Sequence, residues 1–377
     1  MKKLLIIANN NTGNGQSGGD TIFLNFIKYW QKDFKITVLG SQETKDLLKR
    51  YQLQKIKFIK TDDETNLPLL FHQIRRIIKG IKSIYKLRPK HYDLIYSVSD
   101  FYPDLLPAIF YKILNSRTKL ICGYYLFAPK PFDSQSPYIQ NDEFFKGVFY
   151  YLSQIPSRLT VNLIADIVMV TSDPDISKFP NKKVIVVQGG VDKAPKIKSR
   201  KIYDAVFLGR LHPQKGPLEL IDIWKYVIQQ KPKAKLAIIG DGALEKKLKS
   251  KIKKYKLDKN ITMFGLKTGI EKYKIFSQSC VALHPAIYDS GGMAMAEALS
   301  VGIPGVSFDL EALKTYYPKG VIKTKCFNKR QFAKNIIKLL DDKKLYKEYA
   351  TQALSLINSV WLWPKRAKKI YKELTSN

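Results

Sequence analysis

Short apolar runs alternate with longer stretches in which apolar residues recur at helical spacing. Residues 3–8, 35–39, 93–97, 119–124, 167–171 and 184–187 read as strands. Residues 21–31, 69–87 and 144–164 read as helices, the last with a break near Pro156. In 69–87, Phe71, Ile74, Ile77, Ile78, Ile81, Ile84 and Tyr85 recur every three to four positions, which is the spacing of an apolar helix stripe. The strand runs carry apolar residues at successive positions. Such runs belong to strands covered on both faces, and the alternation with helices predicts an open parallel sheet.

The pattern then begins again. Strands are expected at 205–208, 235–239, 261–264, 281–283 and 305–308, and helices at 217–230, 244–256, 270–278, 293–299 and from 329 onward. A charged stretch containing Pro195 separates the two halves, as an exposed linker would. The expected division is 1–192 and 193–362, with residues 363–377 as a final helix. The fold class is α/β, with two Rossmann-like, doubly wound parallel-sheet domains facing across a cleft. Ligands would enter at the carboxyl ends of the strands.

A chain of 377 residues is long for a single core, which agrees with two domains. Its three cysteines are far apart and odd in number, so they suggest neither a disulfide framework nor a zinc site. The apolar run after Met1 is too short for a signal peptide. No later stretch is long and uncharged enough to span a bilayer. The expected location is cytoplasmic, free or peripheral on the inner face of a membrane.

The formal net charge of +33 favours anionic partners. Residues 196–377 carry 37 basic and 15 acidic side chains, so the excess concentrates there. It consists mostly of scattered lysines, which fit a lysine-rich composition as well as a functional basic face. Nucleic acid ranks last among partners, because no recognition motif accompanies the charge.

Candidate chemistry gathers where strands end. The run from Ala282 to Pro304 leads from a strand into Gly291-Gly292 and a small-residue helix, with Asp289 before the break and Glu297 eight residues on. A helix start there would leave the N–H groups of Gly291, Gly292 and Met293 aimed past the strand end. That suits an anion with hydroxyls near it, such as a nucleotide-sugar diphosphate. Gly209-Arg210 to Lys215-Gly216 also leaves a strand end. Arg210 can bind a phosphate through two hydrogen bonds and Lys215 can add a point charge; a turn with two solvated cations is the plainer reading.

Gly240-Asp241-Gly242 fits a packing turn. The loop at Gly265 fits either a packing turn or backbone amides presented to a base. Gly13 to Asp20 can approach a phosphate, or Asp20 can cap the following helix. Gln188-Gly189-Gly190-Val191-Asp192 is a plain turn or part of a site.

Taken as a collinear set, these motifs resemble the retaining family-four glycosyltransferases of the GT-B fold, also called group 1 glycosyltransferases. The resemblance covers nearly all of the second half and rests on Gly18-Gly19, Gly189 to Asp192, Gly209-Arg210 to Gly216, Gly240 to Gly242, Asn260 to Gly265, and Asp289 to Glu297. It implies a nucleotide-sugar donor held mostly by the second domain. Arg210 and Lys215 would bind the diphosphate, and Glu297 the ribose hydroxyls. Asp289, with the amides of Gly291, Gly292 and Met293, would hold sugar and phosphate. Gly18 and Gly19 would close from the first domain. No metal or other cofactor is expected, and the helix beyond Trp363 would return to the first domain. The chain departs from the family in two places: Asp289 stands where glutamate is usual, and Gly123-Tyr124-Tyr125-Leu126-Phe127 lacks the histidine found there in many members.

The acceptor, a glycan or a lipid-linked sugar, is less well marked. Tyr124, Tyr125 and Phe127, with Phe132 and Tyr138, form either a sugar-stacking loop or an aromatic packing loop. Residues 71–88 carry Arg75, Arg76, Lys79, Lys82, Lys86 and Arg88 beside the apolar stripe, so this helix fits an anionic membrane surface or plain packing on a sheet. A nucleotide-sugar epimerase or hydrolase of the same fold, and a donor-binding subunit without catalysis, are the competing functions.

Overall fold

The computed structural model describes residues 1–11, 17–62, 68–87, 90–133, 136–139 and 143–376. The glycine-rich positions Gly13 to Gln16, and Arg88, lie outside the described residues.

The first sheet contains β1 (Lys2–Ala8), β2 (Phe34–Gly40), β3 (Lys57–Lys60), β4 (Leu94–Ser97), β5 (Lys119–Tyr124), β6 (Ile167–Val170) and β7 (Lys183–Val186). Its order is β3-β2-β1-β4-β5-β6-β7, with every pair parallel. The second contains β8 (Tyr203–Leu208), β9 (Leu236–Ile239), β10 (Ile261–Met263), β11 (Ser279–His284), β12 (Gly305–Phe308) and β13 (Val321–Thr324). Its order, β10-β9-β8-β11-β12-β13, is also parallel throughout. Both orders reverse direction beside their first strand, the switch point at which such sheets open a crevice.

Successive residues of the second sheet enter different cores. Leu236 and Ile238 of β9 join Phe207, Trp224 and Phe332 on one face; Ala237 and Ile239 join Met295, Leu299 and Trp361 on the other. A strand buried on both sides needs apolar residues at every position, which explains the runs in the sequence.

Two edge strands, β3 and β13, were not expected. Lys-Phe-Ile-Lys in β3 is half exposed with a lysine at each end, so its pattern resembles a polar loop. The helix Tyr102–Leu114 is also an addition, with Pro103 in its first turn and Pro107 inside it. Pro107 packs so closely on the helix Leu69–Leu87 that a Cβ at Gly80 would lie 2.7 Å from its Cγ.

The chain forms two compact units. One comprises residues 1–128, 147–189 and 364–377, the other 129–146 and 190–363. Residues 129–146, which the sequence reading assigns to the first domain, therefore group with the second. The final helix, Trp363–Thr375, belongs to the first unit from Pro364 on. There Trp30 Nε1 donates to the Ala367 carbonyl at 2.9 Å, and the Phe34 and Tyr371 rings meet edge to face.

Candidate functional site

Loops at the carboxyl ends of β8, β9 and β11 build the site of the second unit. Leu211 N donates to Asp241 O at 2.6 Å, and Leu244 N to Leu211 O at 3.0 Å, so the loops after β8 and β9 are joined main chain to main chain. Gly240, at φ +136°, lies where a Cβ would be 2.0 Å from the Gly209 carbonyl. A side chain there would force the loops apart.

The loop after β8 is joined as closely to the end of β11. Ile287 and Tyr288 both donate their N–H to the Gln214 carbonyl, at 3.0 and 3.2 Å. Gly216 has φ +64°, and a Cβ on it would stand 2.0 Å from the Pro285 carbonyl. Only glycine permits that approach, and it brings Lys215 to Asp289.

Lys215 Nζ lies 2.8 Å from Asp289 Oδ2, and His284 Nε2 lies 2.9 Å from the same oxygen. Asp289 Oδ1 accepts from the N–H groups of Ser290 and Gly291, at 2.8 and 3.3 Å. Burial works to raise the Asp289 pKa, but the Lys215 charge and the neighbouring His284 prevail and hold it well below the usual carboxylate range. Asp289 is thus a fixed anion that orients Lys215. His284, the last residue of β11 and 3% exposed, did not stand out in the sequence. Its only signal is its place at a strand end within the run that carries Asp289.

Arg210 is exposed, and no carboxylate pairs with it among the described residues. It is the cation of this loop left open to a ligand. Gly291 has open space around its Cα, whereas Gly292, at φ +58°, packs under Leu313 and Tyr317 and accepts from the Tyr317 hydroxyl at 2.6 Å. The helix Met293–Leu299 follows, with Met293 at its first position. Within it Glu297 Oε2 pairs with Lys272 Nζ at 2.8 Å. Lys272 is a second neighbour the sequence did not suggest, because 25 residues separate the partners. Gly265, at φ +65° with open space about it, accepts from Gly240 N at 2.8 Å.

Beside Arg210 opens a cleft of about 400 Å³, lined by Tyr138, Glu143, Lys146, His212, Pro213, Ala243, Leu244 and Lys247. Burial and the charges of Arg210 and Lys215 push His212 below its ordinary pKa, so this imidazole favours its neutral form. Among the described residues, no three His, Cys, Asp or Glu side chains gather as a metal site.

Gly18 and Gly19 open the helix Gly18–Trp30 of the first unit. Ser17 and Asp20 cap it reciprocally: Asp20 N donates to Ser17 Oγ at 3.1 Å, and Ser17 N to Asp20 Oδ2 at 2.7 Å. Gly19 lies under the Tyr125 ring, 3.3 Å from where its Cβ would be. Tyr125 is buried, its hydroxyl bonded to that of Tyr96 at 2.5 Å. Tyr124 and Phe127 are buried too, stacked at 4.5 Å, with the Lys178 ammonium 3.4 Å from the centre of the Phe127 ring. Of the two readings of these aromatics, packing describes their observed environment. Phe132 is 82% exposed.

Two parallel α/β units with strand-end loops of this kind define the architecture of GT-B glycosyltransferases. The crystal structure of Anabaena HepE in complex with UDP and glucose matches over all of both chains, with a TM-score of 0.76 at 16% identity. Residues 192–355 match the family model of glycosyl transferases group 1, so the chain is similar to that family over most of its second half. An uncharacterized glycosyltransferase of Methanocaldococcus jannaschii is 25% identical over 359 residues, which span 79% of this chain and 83% of that one. The UDP-Gal:alpha-D-GlcNAc-diphosphoundecaprenol alpha-1,3-galactosyltransferase of Escherichia coli is 25% identical over 249 residues, 60% of each chain.

Proposed function

We propose that the protein moves a sugar from a nucleotide-sugar donor to a glycan or lipid-linked acceptor, with retention at the anomeric carbon and without a metal. The observation that carries this reading is the pairing of an open Arg210 with a Lys215 held by Asp289, on a loop fixed to two strand ends. Breaking the bond to the donor phosphate loads negative charge onto the leaving diphosphate. Cations fixed in advance lower that barrier without reorganising as the charge develops. Arg210 would grip two phosphate oxygens, and Lys215 would hold a third.

In this reading the N–H groups at Gly292 and Met293 add dipoles beside the diphosphate, that of Gly291 being taken up by Asp289 Oδ1, and Glu297 receives the ribose hydroxyls. Gly265 offers open backbone to the base. Gly18 and Gly19 are assigned to closure over the donor by the family resemblance alone. The leaving phosphate would take the acceptor's proton as the acceptor attacks from the same face. Support for a nucleotide-sugar donor comes from the HepE complexes with UDP and UDP-glucose. Support for a lipid-linked acceptor comes from the diphosphoundecaprenol named for the E. coli relative. A cytoplasmic protein, free or at the inner membrane face, fits such substrates.

The test is a thermal-shift screen against nucleotide sugars, followed by product analysis with the stabilising donor and a panel of acceptors in EDTA. Bound donor raises the melting temperature by mass action. Transfer with the anomeric configuration preserved is expected, and Arg210→Ala should lower kcat/KM about a hundredfold or more. Formation of an epimerised or free sugar in place of a glycoside would overturn the proposal.

A further inference from the structure

The helix Leu69–Leu87 carries two opposed stripes. His72, Arg76, Gly80, Ile84 and Leu87 face inward. On the other side Leu70, Phe71, Ile74 and Ile78 are exposed, Phe71 by 64%. The helix Phe144–Ile164 repeats the arrangement: Gly147, Gln154, Ser157 and Val161 are buried, while Phe149, Leu152, Leu159 and Leu163 are exposed, Leu163 by 80%. Both helices cover the same side of the first sheet. Ile84 and Leu87 of one, Val161 of the other, and Leu105 and Ile109 of the helix between them share a single core with β1, β4, β5 and β6. The two exposed stripes therefore lie on the outside of one helical layer.

Neither helix contains an aspartate or a glutamate, and the exposed Lys82 and Lys86 border the apolar stripe of the first. From this surface we infer that the outer helical layer of the first unit lies flat on an anionic lipid bilayer, with the aromatic and aliphatic side chains in the headgroup boundary and the cations on the phosphates. Charge decides between occupants. A second copy of the same face would set cations against cations, whereas anionic headgroups neutralise them. No described helix is long and apolar enough to cross a membrane, and this mode of binding requires none. The inference rests on the surface alone, so failure of either it or the transfer reading leaves the other standing.

Flotation of the full-length chain with vesicles tests it. The protein should rise at low salt with phosphatidylglycerol–phosphatidylcholine vesicles and rise far less with phosphatidylcholine alone. Ile74→Ser with Ile78→Ser, and Phe149→Ser with Leu163→Ser, should each lower the bound fraction about tenfold or more. Lys82→Glu with Lys86→Glu should do the same without touching an apolar residue, and it decides the matter if circular dichroism shows the serine variants to be misfolded. Absence of flotation with anionic vesicles would overturn the inference. So would flotation unchanged by correctly folded variants, or a dimer in ultracentrifugation that Phe149→Ser with Leu163→Ser dissociates.

Discussion

Lys215 and Asp289 meet at 2.8 Å although 74 residues separate them, and Gly216 makes the meeting possible by letting its loop touch the backbone of Pro285. The pair is an electrostatic device as well as a packing contact. Asp289 is 9% exposed in its side chain and Lys215 22%, so solvent screens them weakly.

Asp289→Asn keeps the size of the side chain and removes its charge. Loss of about 1–3 kcal/mol of unfolding free energy is expected at neutral pH, read by urea denaturation. A depressed carboxylate stabilises the fold above the pKa of the unfolded chain and ceases to do so as pH falls through the native value. The difference between wild type and variant should therefore hold steady down to about pH 4 and shrink below it. A constant difference through the acid range would contradict the assignment.

Gly216→Ala should cost about 3 kcal/mol or more, because the new methyl would meet the Pro285 carbonyl at a positive φ. Gly291→Ala is the control. Open space surrounds it, so its unfolding midpoint should move by less than about 0.5 kcal/mol equivalent.

Glu297→Gln should weaken donor binding about tenfold in calorimetry, if its carboxylate takes the ribose hydroxyls. Lys272→Ala removes only the group that orients Glu297, so a smaller, few-fold loss is expected. Equal, undiminished affinity in both variants would remove Glu297 from the donor site.

Asp100 gives the opposite pH signature. Burial raises its pKa to about 7, against hydrogen bonds that include one from Gln154 Nε2 at 3.0 Å. The native state then holds a proton that the unfolded chain has released, so this group lowers stability as pH rises from about 4 to 7. Asp100→Asn should flatten that part of the stability–pH curve. An unchanged slope would show that Asp100 does not carry the proton.

Much of this was legible in the sequence. The doubly buried strands could be read because a parallel sheet covered on both faces demands unbroken apolar runs, as in Leu236 to Ile239. The edge strand β3 could not, because lysines at both ends of Lys57–Lys60 suit an exposed edge and a loop equally well. In the site, Arg210, Lys215, Asp289 and Glu297 were visible as motifs. Their partners His284 and Lys272 were not, because a fold, and no local spacing, brings them together. Tyr124, Tyr125 and Phe127 show the limit most plainly: composition cannot tell a ring that stacks on a sugar from one that packs on Gly19 or Phe179.

The most direct measurement is a crystal structure with the nucleoside diphosphate that most raises the melting temperature. The account predicts its two phosphates within hydrogen-bond distance of Arg210 and Lys215, beside the Gly291–Met293 turn, with the ribose at Glu297. A diphosphate bound in the first unit, or in the second unit away from Arg210, would contradict it.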